Sequence, residues 1–180
     1  MNGTETATIV LPAVLAVTGY FLSYIYRLKL ERRKNRLKRI DRQLSEFYGP
    51  LLATVQANQK AWDSLVEKND GKEGFYKTKN NPTPEQSEEF INWMNLVFMP
   101  NNEKLYEIIV EKTSLLVDDQ LPNPLLELMA HILEYRIELK QVEETGKKAM
   151  EMKRKYPAEE LLAYCKSNFE RLKTKQSKLL

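Results

Sequence analysis

The sequence predicts an all-α protein in which one N-terminal transmembrane helix continues into a cytoplasmic helical bundle. Apolar residues recur at steps of three and four through most of the chain, whereas no alternating pattern indicates a β-sheet. The chain of 180 residues contains only six glycines, which suits long helices better than a sheet with many turns. A long uncharged run near the N-terminus, followed by a dense basic run, adds the membrane helix to this fold class.

The predicted membrane helix lies within residues 1–26. Thr6–Tyr26 contains 21 consecutive uncharged residues, and a helix of that length covers about 30 Å, the thickness of the bilayer's hydrocarbon core. A cleaved signal peptide is the alternative, but it would carry a basic region before the apolar run, and only Glu5 is charged there. The sequence therefore favours a retained, single-pass helix. The basic residues that follow it predict an inner (cytoplasmic) membrane protein with its N-terminus outside and its C-terminus inside.

Helical spacing divides this segment into two faces. Because lipid gives helices no hydrophobic reason to associate, close contact between them depends on small residues. One face is small or weakly polar and is the predicted pore-lining or helix-packing stripe: Thr8, Pro12, Ala16, Gly19, Ser23 and Tyr26. The opposite face is bulky: Val10, Val14, Val17, Phe21 and Ile25. The pattern favours association with other copies, and a lone anchor is the alternative.

Residues 27–49 form a predicted basic stalk helix. Residues 27–42 carry nine Arg and Lys against one Glu and one Asp, a net formal charge of +7. Three interpretations of this charge remain open: a topology signal with a lipid-headgroup collar, a polyanion site, and solvated charge on a long helix. In a polyanion site, the phosphate groups of the ligand would be bound by Arg32, Arg33, Arg36 and Arg39. Gly49-Pro50 is expected to end or kink the stalk.

The third region, residues 50–180, is predicted to form a bundle of about five amphipathic helices. Thr83 and Gln86 predict a capping box at the start of one helix, and Pro100 is expected to end that helix. Residues 68–81 are polar and contain glycine, and they are predicted to form a mobile loop. Further helix boundaries are expected at Pro122-Asn123-Pro124, Gly146 and Pro157.

Catalytic and metal-binding motifs are missing from the sequence. It contains no P-loop, GxGxxG, GxSxG, HExxH or CxxC. The one His, His131, and the one Cys, Cys165, fall on apolar helix faces and are interpreted as packing residues. The sequence therefore predicts no enzyme, no cofactor and no metal site. Five aromatic residues are interpreted as core, with nucleobase stacking as the alternative: Phe47, Tyr48, Trp62, Tyr76 and Trp93.

Three stretches and the closing run FERLKTKQSKLL resemble a family of short, membrane-anchored helical proteins. The stretches are QLSEFYGPLLATVQANQKAW, FINWMNLVFMPNNEKLYEIIVEK and PLLELMAHILEYRIEL. Within that form, the architecture is similar to the transmembrane effectors of the Hailong anti-phage defence system. The resemblance implies a cone-shaped tetramer that acts as a channel and damages the host membrane during infection. It also implies that single-stranded DNA oligomers, made by a partner nucleotidyltransferase, hold the channel inactive.

The expected function is that of a homo-oligomeric channel effector of anti-phage defence, controlled by a nucleotide or oligonucleotide bound on its cytoplasmic part. The expected partners are other copies of the chain, membrane lipid and a single-stranded DNA oligomer. One alternative is a non-conducting, membrane-tethered helical scaffold that recruits a partner protein. Another is a nucleic-acid-binding module that uses the membrane only for location.

Overall fold

The computed structural model describes residues 3–80, 82–145 and 156–180, and the side chains of residues 3–17 and 76–80 lie outside this description. Within these ranges the chain forms α-helices with short π and 3₁₀ segments, and it contains no strand. The helices are α1 Gly3–Arg42, α2 Gly49–Lys68, α3 Gly71–Asn80, α4 Pro84–Trp93, α5 Met99–Glu111, α6 Asn123–Thr145 and α7 Ala158–Ser177. The predicted all-α class is confirmed.

The stalk helix does not end at Gly49-Pro50. A π-helical segment, Gln43–Tyr48, joins α1 directly to α2, and Gly49 keeps helical dihedral angles of φ −65° and ψ −55°. A proline lacks an N–H and its ring clashes with the preceding turn of a regular α-helix. The wider π turn accommodates Pro50, and the Gly49 N–H donates to the Leu44 carbonyl five residues back. Of the two expected outcomes, an end or a kink, the first does not occur, because a π segment relieves the proline's local conflict and the helix continues.

The same arrangement occurs before Pro100. A second π segment, Met94–Phe98, joins α4 to α5, and the Met99 N–H donates to the Met94 carbonyl. The prediction that Pro100 ends this helix is therefore wrong.

The predicted start of α4 is confirmed. The Thr83 N–H donates to Gln86 Oε1 at 2.9 Å, and the Gln86 N–H donates to Thr83 Oγ1 at 3.3 Å.

Helix α3 occupies most of the segment for which the sequence predicts a mobile loop. Asp70 and Gly71 take positive φ values of 60° and 78°, which turn the chain sharply after α2. Phe75 is then buried, and its ring lies 4.9 Å from that of Trp62, measured between centroids. The single buried aromatic ring gives this polar segment a face that packs on α2, which the polar composition does not suggest.

The buried apolar residues form two clusters. The main core gathers the end of α1, the first π segment, α2, α5, α6 and α7. Its large fully buried residues are Phe47, Tyr48, Leu51, Leu105, Ile109, Leu125, Leu128, Ile132, Leu161 and Leu172. The smaller core contains Leu65, Val66, Phe75, Met94, Phe98 and Met99. Asn58 is buried between α2 and α5, where its amide donates to Asn102 Oδ1 at 3.2 Å and its oxygen accepts from Asn101 at 2.8 Å.

Helix α7 lies antiparallel to α1 and to the start of α2. Gln176, near the end of α7, donates to Asp41 Oδ1 at 2.7 Å, whereas Tyr164, near its start, contacts Tyr48. On its inner face, Cys165 is fully buried, and burial raises the pKa of its thiol to about 12. This packing places the last turn of α7 beside the basic part of α1.

Candidate functional site on α1 and the end of α7

Most of the described side chains of α1 before Leu37 are exposed. From Thr18 to Arg36, every side chain on this helix is exposed except Ile25, which is half-buried. Five large side chains in this part are 52–77% exposed: Tyr20, Phe21, Leu22, Tyr24 and Tyr26. A row of exposed aromatic and aliphatic side chains on one helix is typical of an interaction surface.

The described residues form no helix that is long and apolar enough to cross a membrane. The predicted span, Thr6–Tyr26, falls only partly within them, because the side chains of residues 6–17 are not described. The transmembrane helix therefore remains a prediction.

The predicted small stripe is described only in its second half. Gly19, Ser23 and Tyr26 are exposed, and a Cβ placed on Gly19 would meet no atom within 4 Å. The other members of the stripe belong to α1, but their side chains lie outside the described residues: Thr8, Pro12 and Ala16.

Arg33 is separated from the other three predicted phosphate ligands. Its Nε donates to the Leu179 carbonyl at 2.8 Å and its Nη2 donates to the Leu180 oxygen at 3.2 Å. Arg33 belongs to the face of α1 that turns toward α7, together with the buried Ile40 and Leu44. This arginine anchors the end of α7, so its guanidinium is already engaged within the chain.

The remaining three arginines share one exposed face of α1. Arg32, Arg36 and Arg39 follow steps of four and three, and they make no hydrogen bond or ion pair with any described residue. Lys29 precedes Arg32 by three residues, so it belongs to the same face, and it too lacks such a partner. We call these four residues the basic face. Lys29 is not among the predicted phosphate-binding residues, although its spacing from Arg32 would have indicated it.

The end of α7 adds further positive charge beside α1. Residues 171–180 contain one Arg, three Lys and no acidic residue. Lys173 donates to Gln176 at 2.9 Å, whereas Lys175 and Lys178 are exposed and pair with no described residue. The sequence does not predict that the positive charge of residues 171–180 lies beside the stalk, because the two segments are far apart along the chain.

Other basic residues of the stalk have local acidic neighbours. Arg42 donates to both carboxylate oxygens of Glu46, at 2.9 and 3.3 Å, and this hydrogen bonding lowers the pKa of Glu46. Lys34 lies 3.7 Å from Glu31, and both side chains are well exposed. Exposed pairs of this kind contribute little to stability, and they reduce the charge available to a ligand in the middle of the basic stretch and at its C-terminal end.

The aromatic residues considered for base stacking belong mainly to the core. Phe47 and Tyr48 are fully buried, and Trp62 and Trp93 are half-buried against the smaller core. The side chain of Tyr76 lies outside the described residues. The interpretation of these four as core residues fits their burial, so the site's chemistry is that of cations.

An open groove of about 380 Å³ lies between the end of α2 and α4. The Lys68–Glu89 ion pair lies at this groove, whose walls are partly apolar and partly acidic. Its lining consists of Lys68, Glu85, Glu88, Glu89, Asn92, Trp93, Leu96 and Val97.

Among the described residues, no group of three or more His, Cys, Asp or Glu could hold a metal ion.

His131 is buried in the interior beside two aromatic rings. Its ring centroid lies 4.5 Å from that of Tyr135 and 5.3 Å from that of Tyr156, both edge to face. This environment fits the packing role that the sequence predicts.

Comparison of the chain with protein-family models, curated proteins and solved structures gives no match.

Proposed function

We propose that this chain is a single-pass inner-membrane protein, with its N-terminus outside, whose copies assemble through α1 into a channel controlled by an anionic oligonucleotide. In this proposal, opening of the channel damages the membrane as an anti-phage defence. The observation that carries it is the exposed N-terminal part of α1, where Tyr20–Tyr26 precede the unpaired basic face. An apolar row next to a basic row is the order in which a helix leaves the hydrocarbon core for the cytoplasmic surface.

Membrane insertion accounts for the exposed apolar residues. Burying one large apolar side chain is favourable by about 1.5–3 kcal/mol, and five of them are left uncovered by the described part of the bundle. Tyr20, Tyr24 and Tyr26 also have the amphipathic rings that favour the membrane interface. The uncharged residues from Thr6 onward supply the remaining length.

Assembly of several copies is supported by the small stripe and by the resemblance to tetrameric effectors. Gly19 and Ser23 offer an exposed surface with little steric bulk, and among the described residues no atom lies within 4 Å of a Cβ placed on Gly19. Helices can approach closely there, either to pack or to surround a pore. The continuous connection from α1 through the first π segment to α2 would transmit a movement of the bundle to this helix.

Ligand control follows from the charge that assembly concentrates. Each copy contributes a stalk with a net charge of +7, and parallel copies would bring these stalks together. Like charges at close range destabilise such an arrangement unless an anion neutralises them. An oligonucleotide on the basic face would therefore favour one arrangement of the stalks over the other, which is the differential binding that control requires.

Release of dye from vesicles tests this function. The purified full chain should release an entrapped dye, and addition of a bound oligonucleotide should change the rate. Gly19→Leu should reduce release at least tenfold, because a bulky side chain disrupts the small stripe, while Phe21→Leu on the opposite face is the matched control and should retain it. Vesicles that stay tight under every ligand condition, with the chain inserted and oligomeric, would contradict the channel.

The non-conducting scaffold remains a second candidate because α6 carries its own exposed apolar stripe. Leu126, Leu133 and Ile137 follow helical spacing and are 43–58% exposed. Such a stripe suits a partner protein on the outer surface of the bundle. If this function is correct, Ile137→Glu abolishes activity in cells while Gly19→Leu leaves it intact. The channel predicts the opposite pair of results.

A further inference from the structure

The end of α7 and the residues that follow it are fixed at one position along the stalk by hydrogen bonds. Arg33 donates to the backbone oxygens of Leu179 and Leu180, and four residues earlier on α7 Gln176 donates to Asp41. Because α7 runs antiparallel to α1, its end points toward the N-terminal part of α1. That is the direction of the exposed apolar row that ends at Tyr26.

The distance along α1 places this segment near the predicted membrane surface. Arg33 follows Tyr26 by seven residues, which is about 10 Å along a helix. The headgroup layer on each side of a bilayer is about 5–8 Å thick, and charges in physiological salt interact over about 8 Å. Lys178 precedes Leu179 directly, so its long side chain can reach this layer.

The charges in this segment have no partner within the described part of the chain. Lys175 and Lys178 are exposed and unpaired, and no acidic residue occurs in residues 171–180. Lys178, a cation on a flexible stem within reach of the headgroup layer, is suited to anionic lipid phosphates, whereas Lys175 lies about 4.5 Å farther from the membrane along the chain. An oligonucleotide offers the same phosphate chemistry, but the position of this segment next to the membrane boundary favours the lipid.

We propose that the end of α7 is a second membrane contact, in which Lys178 binds the phosphate headgroups of anionic lipids in the cytoplasmic leaflet. This inference rests on the proposed insertion of α1, although it does not depend on conduction. The contact lies beside α1 rather than in line with it, so it restrains the tilt of the bundle relative to the membrane. Two attachment points, α1 and α7, would hold the bundle where one helix alone could swing.

Photocrosslinking in nanodiscs tests the contact. The full chain carries a photoreactive lysine analogue, which keeps the cationic amine, at position 178, and the matched control carries it at position 166, on the same helix but about 18 Å farther from the membrane. Lys166 is exposed as well. In nanodiscs that contain phosphatidylglycerol, position 178 should capture lipid at least fivefold more than position 166. In nanodiscs of phosphatidylcholine alone, this preference should shrink to less than twofold.

A second measurement does not depend on the reactive group. Lys178→Gln should speed amide hydrogen exchange in residues 174–180 at least threefold in phosphatidylglycerol nanodiscs and leave it unchanged in phosphatidylcholine. Lys166→Gln should change neither.

The outcomes separate this contact from the proposed function. Equal capture at positions 178 and 166, with protease protection showing that α1 is inserted, overturns the lipid contact and leaves the membrane anchor standing. Capture of an added oligonucleotide in place of lipid at position 178 also overturns it. A chain that fails to insert into any lipid composition overturns both the anchor and the contact.

Discussion

The hydroxyl groups of Tyr48 and Tyr164 lie 3.2 Å apart and connect the first π segment to α7. Tyr164 donates to Asp118 Oδ2 at 2.9 Å, so the shared hydrogen bond must be donated by Tyr48. The oxygen of Tyr48 in turn accepts from the Val117 N–H at 3.1 Å. Tyr48 is fully buried, and its ring lies edge to face with that of Phe47. This chain of hydrogen bonds fixes the point where the stalk enters the bundle.

Tyr48→Phe should destabilise the protein by about 1–3 kcal/mol, because it leaves the Val117 N–H and the Tyr164 hydroxyl oxygen without their partner in the interior. Chemical denaturation of the full chain in detergent measures the loss. Tyr156→Phe is the matched control. The Tyr156 hydroxyl is also buried, but no described group depends on it for a well-formed hydrogen bond, so its removal should leave the stability unchanged or raise it. Equal losses in the two variants would contradict this assignment.

Buried tyrosines should also make the protein sensitive to alkali. Burial raises the pKa of Tyr135 and of Tyr156 to about 12, whereas a tyrosine in an unfolded chain titrates near about 10. The raised pKa means that the stabilising contribution is complete below about pH 10 and is lost as the pH rises toward about 12.

The comparison of Tyr156→Phe with the unmodified chain isolates one such group. The free energy of unfolding, measured from pH 8 to 12, should fall less steeply in the variant, by a total of about 1–3 kcal/mol over the range from 10 to 12. The titration of lysines is common to both proteins and cancels. Parallel pH profiles would show that this phenol does not contribute.

The sequence predicts the helices well and two of their junctions poorly. The capping box at Thr83 is a local device, so four residues suffice to predict it. A proline is also local, but its effect depends on what the helix does before it. Before Pro50 and Pro100 the buried residues of the π segments, such as Phe47 and Phe98, hold the chain helical through the proline. This stabilisation comes from tertiary packing, which the local sequence does not predict.

Gly49→Ala should test whether the π turn needs its glycine. A Cβ on Gly49 would overlap the Leu44 carbonyl oxygen, a backbone atom that cannot move without disturbing the helix. The variant should lose about 1–3 kcal/mol of unfolding free energy from strain, against the gain of about 1 kcal/mol that Gly→Ala usually brings in a helix. Gly19→Ala is the control, because a Cβ there meets no atom within 4 Å. A stabilised Gly49→Ala protein would contradict the strain.

The candidate site could be predicted in part. Helical spacing places Arg32, Arg36 and Arg39 on one face, and it turns Arg33 by about 100° from Arg32 and about 120° from Arg39 but by only about 60° from Arg36. The partner of Arg33, however, is the end of α7, separated from it by more than 140 residues. No local pattern indicates such a contact, because it arises only when the bundle folds.

Arg33 and Arg32 should therefore give opposite results although they are neighbours. Arg33→Gln removes two charge-assisted hydrogen bonds to the end of α7 and should speed amide hydrogen exchange in residues 174–180 at least threefold. Arg32→Gln should leave that exchange unchanged and weaken binding of a fluorescent oligothymidylate. It should also lower the slope of log affinity against log salt by about 0.7, the value for one lost phosphate contact on a single strand. If Arg33→Gln instead gives the larger loss of oligonucleotide affinity with no change in exchange, the ligand lies on the side of α1 that faces α7.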